Sequence, residues 1–400
     1  MDDVFTGSFT QQEPLPPAAI AAAVAVMQSG RLHRYNVVEG EAGETALLEQ
    51  EFAAYVGRPY CLAVASGGYA LGCALRALNV LAGEKVLTNA FTLAPVPGAI
   101  SAIGAVPVFV ESTENLTIDL DHLDRQITDT GARVLMLSHM RGHQPDMARL
   151  MAITDRHAVQ VIEDCAHTMG GGWGGQPSGI HGVISCYSTQ TYKHINSGEG
   201  GLLVCDDPDI AARSVLLSGS YMLFERHLAA PQVAEFAPHV GMTPNVSGRM
   251  DNLRAAVLRP QLATLDAQVE RWAALHDTVE AILAGTPGLA LIERDPQAVR
   301  VGSSFQFRLP ELSGARVESF VQSCALRGVA LKWFGAPQAT GYTSRYDHWA
   351  YANSPVLHQT DKVLAGLIDM RLPLTFSTDD CALIARIIRS EILRIFANAA

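Results

Sequence analysis

The chain has 400 residues, of which 48% are hydrophobic and 17% charged, and a formal net charge of −11. That composition describes a well-buried globular protein with room for a large and a small domain, and it excludes a disordered chain. The acidic balance argues against nonspecific binding to nucleic acid or to an anionic membrane, while leaving room for a local basic pocket.

No apolar run is long enough to span a bilayer, and the acidic, polar N-terminus lacks the basic start and apolar core of a signal peptide. Seven scattered cysteines form no CxxC pair, so no metal site is expected. Most sit in apolar runs, as free core thiols do, which points to a reducing compartment, the cytoplasm.

Residues 1–16 read as a disordered leader closing at Pro16-Pro17. A helix over 18–28 stops at Ser29-Gly30. The loop 31–43 offers Arg34 and Tyr35 as exposed candidates. Leu47, Leu48, Phe52 and Val56 stand at helical spacing over 44–56. From there strands and helices alternate. Strand 60–65 turns through Ser66-Gly67-Gly68 into helix 69–81, and the pairs 85–88 with 97–103, 106–110 with 119–127, and 133–137 with 146–156 follow. Strands 159–162, 183–187 and 202–205 come next, then a helix from Asp206-Asp207-Pro208 to 217. Apolar strands in repeated βα units predict a mainly parallel sheet with helices on both faces. Ligands in such sheets bind beyond the carboxyl ends of the strands. Residues 66–68, 89–93, 138–143 and 164–167 all occupy such ends and converge on one crevice.

Residues 221–240 read as irregular, with His227, His239 and Glu225 as surface or packing residues. A long helix from 250 to about 283 links to a smaller α+β domain. Its expected strands are 289–292, 304–308 and 329–333, and its helices 317–327 and 377–396. The division is therefore a leader at 1–16, a large domain at 17–250, and a linking helix with a small domain at 251–400.

The chemistry concentrates in residues 161–205. Lys193 is a candidate amine for a Schiff base with a carbonyl cofactor. Asp164, at a strand end, is a candidate anion for a pyridinium nitrogen. Ser66-Gly67-Gly68, running from a strand into a helix, offers backbone N–H groups and a helix dipole to a phosphate, or serves simply as a tight turn.

Asp164-Cys165-Ala166-His167, the run from Ser188 to Lys193 and the turn Gly198-Glu199-Gly200-Gly201 together resemble the DegT/DnrJ/EryC1/StrS family of pyridoxal-phosphate aminotransferases. The resemblance implies a fold type I α/β transferase, with the large domain binding pyridoxal 5'-phosphate. It implies that Lys193 forms the internal aldimine, that Asp164 pairs with the ring nitrogen, and that Ser188, Gly67 and Gly68 meet the phosphate. His167 stands where the family usually has Gln. Leu93 stands where an aromatic usually covers the ring, with Phe91 as the alternative. Asn245, or Ser247 at the family's shorter spacing from Arg249, would reach the cofactor phosphate of a partner subunit in a homodimer with a shared active site. Arg141, in place of a tyrosine, suggests a carboxylate or phosphate on the substrate, or else a surface arginine paired with Asp146 or Asp164. Gln190 resembles relatives that act on keto-cyclitols. The implied reaction moves an amino group from glutamate or glutamine to a keto-sugar, keto-cyclitol or similar small keto compound, in amino-sugar or antibiotic biosynthesis. Two other classes stay open: a dehydratase or lyase of the same fold, towards which His194 points, and an inactive cofactor-binding regulator.

Overall fold

The computed structural model describes residues 3–312, 314–339, 345–352 and 355–397. Helices α1 (Pro17–Ser29) and α2 (Glu44–Val56) precede strand β1 (Tyr60–Val64). Then come α3 (Gly67–Ala77), β2 (Lys85–Asn89), α4 (Pro95–Ala102), β3 (Val106–Val110), α5 (Leu120–Thr130), β4 (Val134–Ser138), α6 (Met147–Arg156) and β5 (Gln160–Asp164). A small hairpin, β6 (Gly172–Trp173) and β7 (Gln176–Pro177), leads to β8 (Ile184–Ser188), β9 (Gly201–Cys205) and α7 (Pro208–Leu217).

The large sheet has the order β1-β9-β8-β5-β4-β2-β3. Strands β3, β2, β4, β5 and β8 are parallel, whereas β9 runs antiparallel to both β8 and β1. The loop between β8 and β9 contains no crossover helix, so the chain can only turn back beside β8. Alternation of side chains sets the two faces. Leu62, Val64, Val134, Met136, Ile162, Ile184 and Cys186 pack under α3, α4 and α7. Cys61, Ala63, Leu202 and Val204 face α2, while Leu135, Leu137 and Val161 face α5 and α6. Carried to the strand ends, the same parity puts Ser138, Asp164 and Ser188 on the α3 face and Glu163 on the other.

The linking helix is two helices, α8 (Asn252–Leu262) and α9 (Leu265–Leu283). Pro260 lies inside α8, where it lacks an N–H and crowds the preceding turn. Thr264, at φ −115° and ψ 6°, separates the two.

Strands β10 (Ala290–Leu291), β11 (Ala298–Val299) and β12 (Ser304–Arg308) open the small domain. They are followed by α10 (Gly314–Leu326), β13 (Lys332–Trp333), α11 (His358–Ala365), β14 (Leu367–Arg371) and α12 (Thr378–Ala397). Its antiparallel sheet has the order β10-β12-β14-β13, with a core shared by α9, α10 and α12. Strand β11 pairs instead with β6 of the large domain. No helix of the described residues is long and apolar enough to cross a membrane.

Two expectations are corrected. Residues 3–16 are an ordered strap on the small domain. Phe5, Phe9 and Phe376 form a triad of edge-to-face rings, with centroids 5.0–5.6 Å apart. Phe5 N–H donates to Arg327 O at 2.9 Å, and Gly328 leaves the space that the Phe5 carbonyl occupies. Polar composition concealed two aromatics that bury themselves against the small-domain core. Residues 1–2 of the expected leader and 398–400 of the tail lie outside the described residues. Arg34 is likewise buried rather than exposed. It grips Glu49 of α2 through two hydrogen bonds, at 2.9 and 2.8 Å, while the half-buried Tyr35 hydroxyl meets Ser220 and His227.

Candidate active site

Beyond the carboxyl ends of β4, β5 and β8 lies a cavity of about 400 Å³. Gly67, Gly68, Leu93, Asp164, His167, Ser188, Gln190 and Lys193 all line it, as do Ser66, Ser138 and Glu199. The Lys193 Nζ lies 3.0 Å from His167 Nε2. Burial pushes the Lys193 ammonium down to about 8, aided by Arg141 and Arg371 and opposed by Asp164. Burial also drives His167 well below its ordinary range, and the Lys193 charge adds to that effect. The His167 ring is therefore neutral and can accept a hydrogen bond from the Lys193 Nζ. Asp164 receives the Ser138 hydroxyl at 2.9 Å and the Ala166 N–H at 3.1 Å.

The floor is glycine by necessity. A Cβ on Gly67 would stand 2.9 Å from Ser188 Cβ, so the start of α3 can approach the end of β8 only without one. The Gly201 position faces the backbone of Ser66 and Gly67 in the same way. Ser66 caps α3 by accepting the Tyr69 N–H at 3.1 Å. The first N–H groups of α3 and the Ser188 hydroxyl thus share one end of the cavity.

Leu93 rather than Phe91 reaches the cavity; Phe91 is buried against Phe334, 5.1 Å between centroids. His194 packs edge-on against Trp272 and bonds Ser303 at 3.1 Å, outside the Lys193–Asp164 cavity. Asn245 lies apart on the surface, donating to Leu216 O at 2.9 Å, and Ser247 is exposed beside it. Arg141 pairs with neither Asp146 nor Asp164. It crosses to the small domain and meets Asp369 at 2.6 Å. Its left-handed backbone, φ 57°, is a turn that no sequence pattern announced.

Sequence reasoning assigned no role to the Ser138 hydroxyl or to the pair beneath it. Glu163 and His139 meet at 2.9 Å on the opposite face of the sheet. Burial would raise the Glu163 carboxyl, but His139 and the Gly182 N–H hold it below the usual range. Cys165 lies close to both. Burial pushes its thiol well up, and the Glu163 oxygens are already engaged by His139 and by the His181 and Gly182 N–H groups. These features are those of a structural knot, and the doubled acid Glu163-Asp164 was the signal that could have revealed it.

A half-buried amine of lowered proton affinity, an oriented carboxylate and a bare helix start in one cavity fit a carbonyl cofactor with cationic and phosphate poles. The class so defined is that of pyridoxal-phosphate enzymes built on a mixed α/β sheet with a small second domain. The chain belongs to the DegT/DnrJ/EryC1/StrS aminotransferase family, whose pattern it matches over residues 18–389. It is therefore an aminotransferase with pyridoxal phosphate as cofactor.

It is 32% identical over 300 residues to dTDP-3-amino-3,4,6-trideoxy-alpha-D-glucose transaminase of Streptomyces venezuelae, covering 74% of this chain and 73% of that one. It is 30% identical over 301 residues to L-glutamine:scyllo-inosose aminotransferase of Streptomyces griseus, covering 74% and 70%. Among solved structures, S. venezuelae DesV in complex with a ketimine intermediate superposes with a TM-score of 0.79 at 27% identity, covering 94% of each chain. The synthase of 3-amino-5-hydroxybenzoic acid has a TM-score of 0.83 over 98% of this chain and all of that one; at 24% identity the likeness is one of fold.

Proposed function

We propose that this enzyme moves an amino group from glutamate or glutamine to a keto-sugar, keto-cyclitol or related small keto compound, in amino-sugar or antibiotic biosynthesis. The observation that carries this reading is the half-buried Lys193–His167 pair, which shares one cavity with Asp164. The substrates of the relatives, a nucleotide-linked deoxysugar and an inosose, support the acceptor class.

When bound, pyridoxal phosphate supplies a carbonyl for the amine and a ring that holds the electron pair left by a departing substrate proton. Lys193 provides the amine. With its proton affinity near 8, part of the population is neutral at pH 7 and most is neutral at pH 9, so Nζ can act as nucleophile and then carry the substrate proton. His167 accepts from Nζ and steers it. Asp164, oriented by Ser138, presents a carboxylate oxygen to a ring nitrogen. Ser188, Gly67 and Gly68 receive a phosphate at the dipole end of α3. Leu93 offers an apolar wall, and Gln190 an amide for a substrate hydroxyl.

A homodimer completes the site on this reading, with Asn245 or Ser247 of one subunit reaching the phosphate held by the other. Exposed Tyr221, Met222, Val240 and Met242 in the same region support an apolar interface. The seven cysteines are all buried free thiols, which supports a reducing, cytoplasmic setting.

The test is the visible spectrum of the protein loaded with pyridoxal phosphate, before and after addition of L-glutamate or L-glutamine. A yellow band bleached by one of them supports the reading and names the donor. A band that both leave unchanged would remove glutamate and glutamine as donors.

A further inference from the structure

Arg371 ends β14 with its guanidinium 3.7 Å from the centroid of the Tyr192 ring. It is half-buried, and among the described residues no carboxylate meets it and no hydrogen bond satisfies it. It lines a second cavity, of about 260 Å³, that shares Lys193, His167 and Leu93 with the first. Asp369, two residues before it on β14, is engaged elsewhere: it takes Arg141 on one oxygen at 2.6 Å and the Gln306 amide on the other at 2.8 Å.

Three cationic side chains, Lys193, Arg141 and Arg371, line this second cavity, and among the described residues no carboxylate does. Burial, with Arg141 and Arg371 adding to it, pushes Lys332 as well as Lys193 down to about 8. A local excess of positive charge in a chain of net charge −11 is what an arriving anion relieves. The anion end of the first cavity, at the start of α3, is already suited to a phosphate. The guanidinium at the opposite side has a planar fork that pairs two N–H groups with the two oxygens of a carboxylate. Stacking on Tyr192 fixes the plane of that fork beforehand.

We infer that Arg371, seated on Tyr192, is the receptor for a substrate carboxylate and thereby positions the substrate beside Lys193. The inference rests on the transaminase reading and deepens it: at least one of the two substrates is a carboxylic acid held at this point. That acid is the amino donor or the keto acceptor.

Enzyme loaded with pyridoxal phosphate is compared as wild type, Arg371→Gln and Arg371→Lys. Single-turnover bleaching by L-glutamate and L-glutamine reads the donor, and calorimetric titration with glutarate reads carboxylate binding alone. The expected result is a rise of about ten- to hundredfold in the half-saturating donor concentration for Arg371→Gln, and a smaller rise for Arg371→Lys. The limiting rate should stay within about threefold, because the lost contact serves binding. Donor saturation that stays intact while glutarate binding is lost assigns the receptor to a carboxylate of the acceptor. Unchanged donor saturation and unchanged glutarate behaviour in both variants overturn the inference. A wild type that binds glutarate through Arg371, yet is bleached by neither donor, contradicts glutamate and glutamine as the donors and leaves the receptor standing. Retention of the visible band reports that fold and cofactor seat are intact, and Arg371→Lys carries the comparison if Arg371→Gln loses it.

Discussion

The amine of Lys193 is the residue whose surroundings matter most to chemistry. Burial lowers its proton affinity to about 8, against 10.5 in water. Between those values the unfolded chain binds more protons than the cofactor-free folded one, so Lys193 contributes stability that grows as pH rises through this window. The neutral amine is also the reactive form. The rate at which cofactor-free enzyme captures pyridoxal phosphate should therefore climb with pH, with a midpoint near 8; stopped-flow absorbance checks this, and a flat profile from pH 6.5 to 9.5 refutes it. Lys193→Ala should abolish turnover while leaving the fold intact. Glu49 shows the opposite sign. Burial would raise its carboxyl, but Arg34 and His227 bring it down to about 2. Its stabilisation is fully present above the unfolded value near 4.5 and is lost as pH falls from there towards 2. Glu49→Ala leaves the Arg34 guanidinium buried and unpaired, and should cost about 3–5 kcal/mol in urea unfolding at pH 7.

Among the elements, the N-terminal strap has the most distinct consequence. Its Phe9 and Gln12 line the second cavity beside Lys193, and Glu13 holds Arg271 through two hydrogen bonds, at 2.9 and 2.6 Å. Phe9→Ala opens the triad around Phe376 and should cost about 3 kcal/mol or more. Gly328→Ala should detach the strap without touching its sequence, since the added methyl falls on the Phe5 carbonyl. Limited proteolysis within residues 3–16 should become faster in both variants; equal rates in variants and wild type would show that the strap is not held by these contacts. The α3 start and the β8–β9 turn form a second coupled pair. Gly67 and Gly201 meet across them, so a side chain at either would push the helix away from Ser188.

For the whole molecule, the proposed shared site predicts complementation between subunits. Lys193→Ala and Asn245→Ala are each expected to be inactive or strongly impaired. Refolded as an equal mixture, they should recover about a quarter of the native sites, since half of the dimers then carry one intact site. No recovery would place each site within one subunit, whereas an Asn245→Ala variant that is active by itself would move the contact to Ser247. The acidic surface and the cationic cavity divide the charge of the molecule between solubility and substrate capture.

The hydrophobic alternation in residues 60–205 determined the βα framework, because apolar strand faces and glycine turns are local properties of the chain. The short motifs around Asp164, Ser188 and Lys193 likewise pointed to residues that line one cavity, since strand ends in a parallel sheet converge wherever the fold is of this kind. Only the tertiary structure decided the substrate end. For Arg141 the sequence left open a substrate anion or a pairing with Asp146 or Asp164, yet its partner is Asp369, 228 residues further along the chain. Arg371 and Tyr192 become a pair only because the small domain lays β14 beside the loop carrying Lys193. The burial of Arg34 and the ordering of residues 3–16 were decided in the same way. Each depends on a partner far away in the chain, Glu49 or Phe376, and composition measures what a segment contains rather than what it meets.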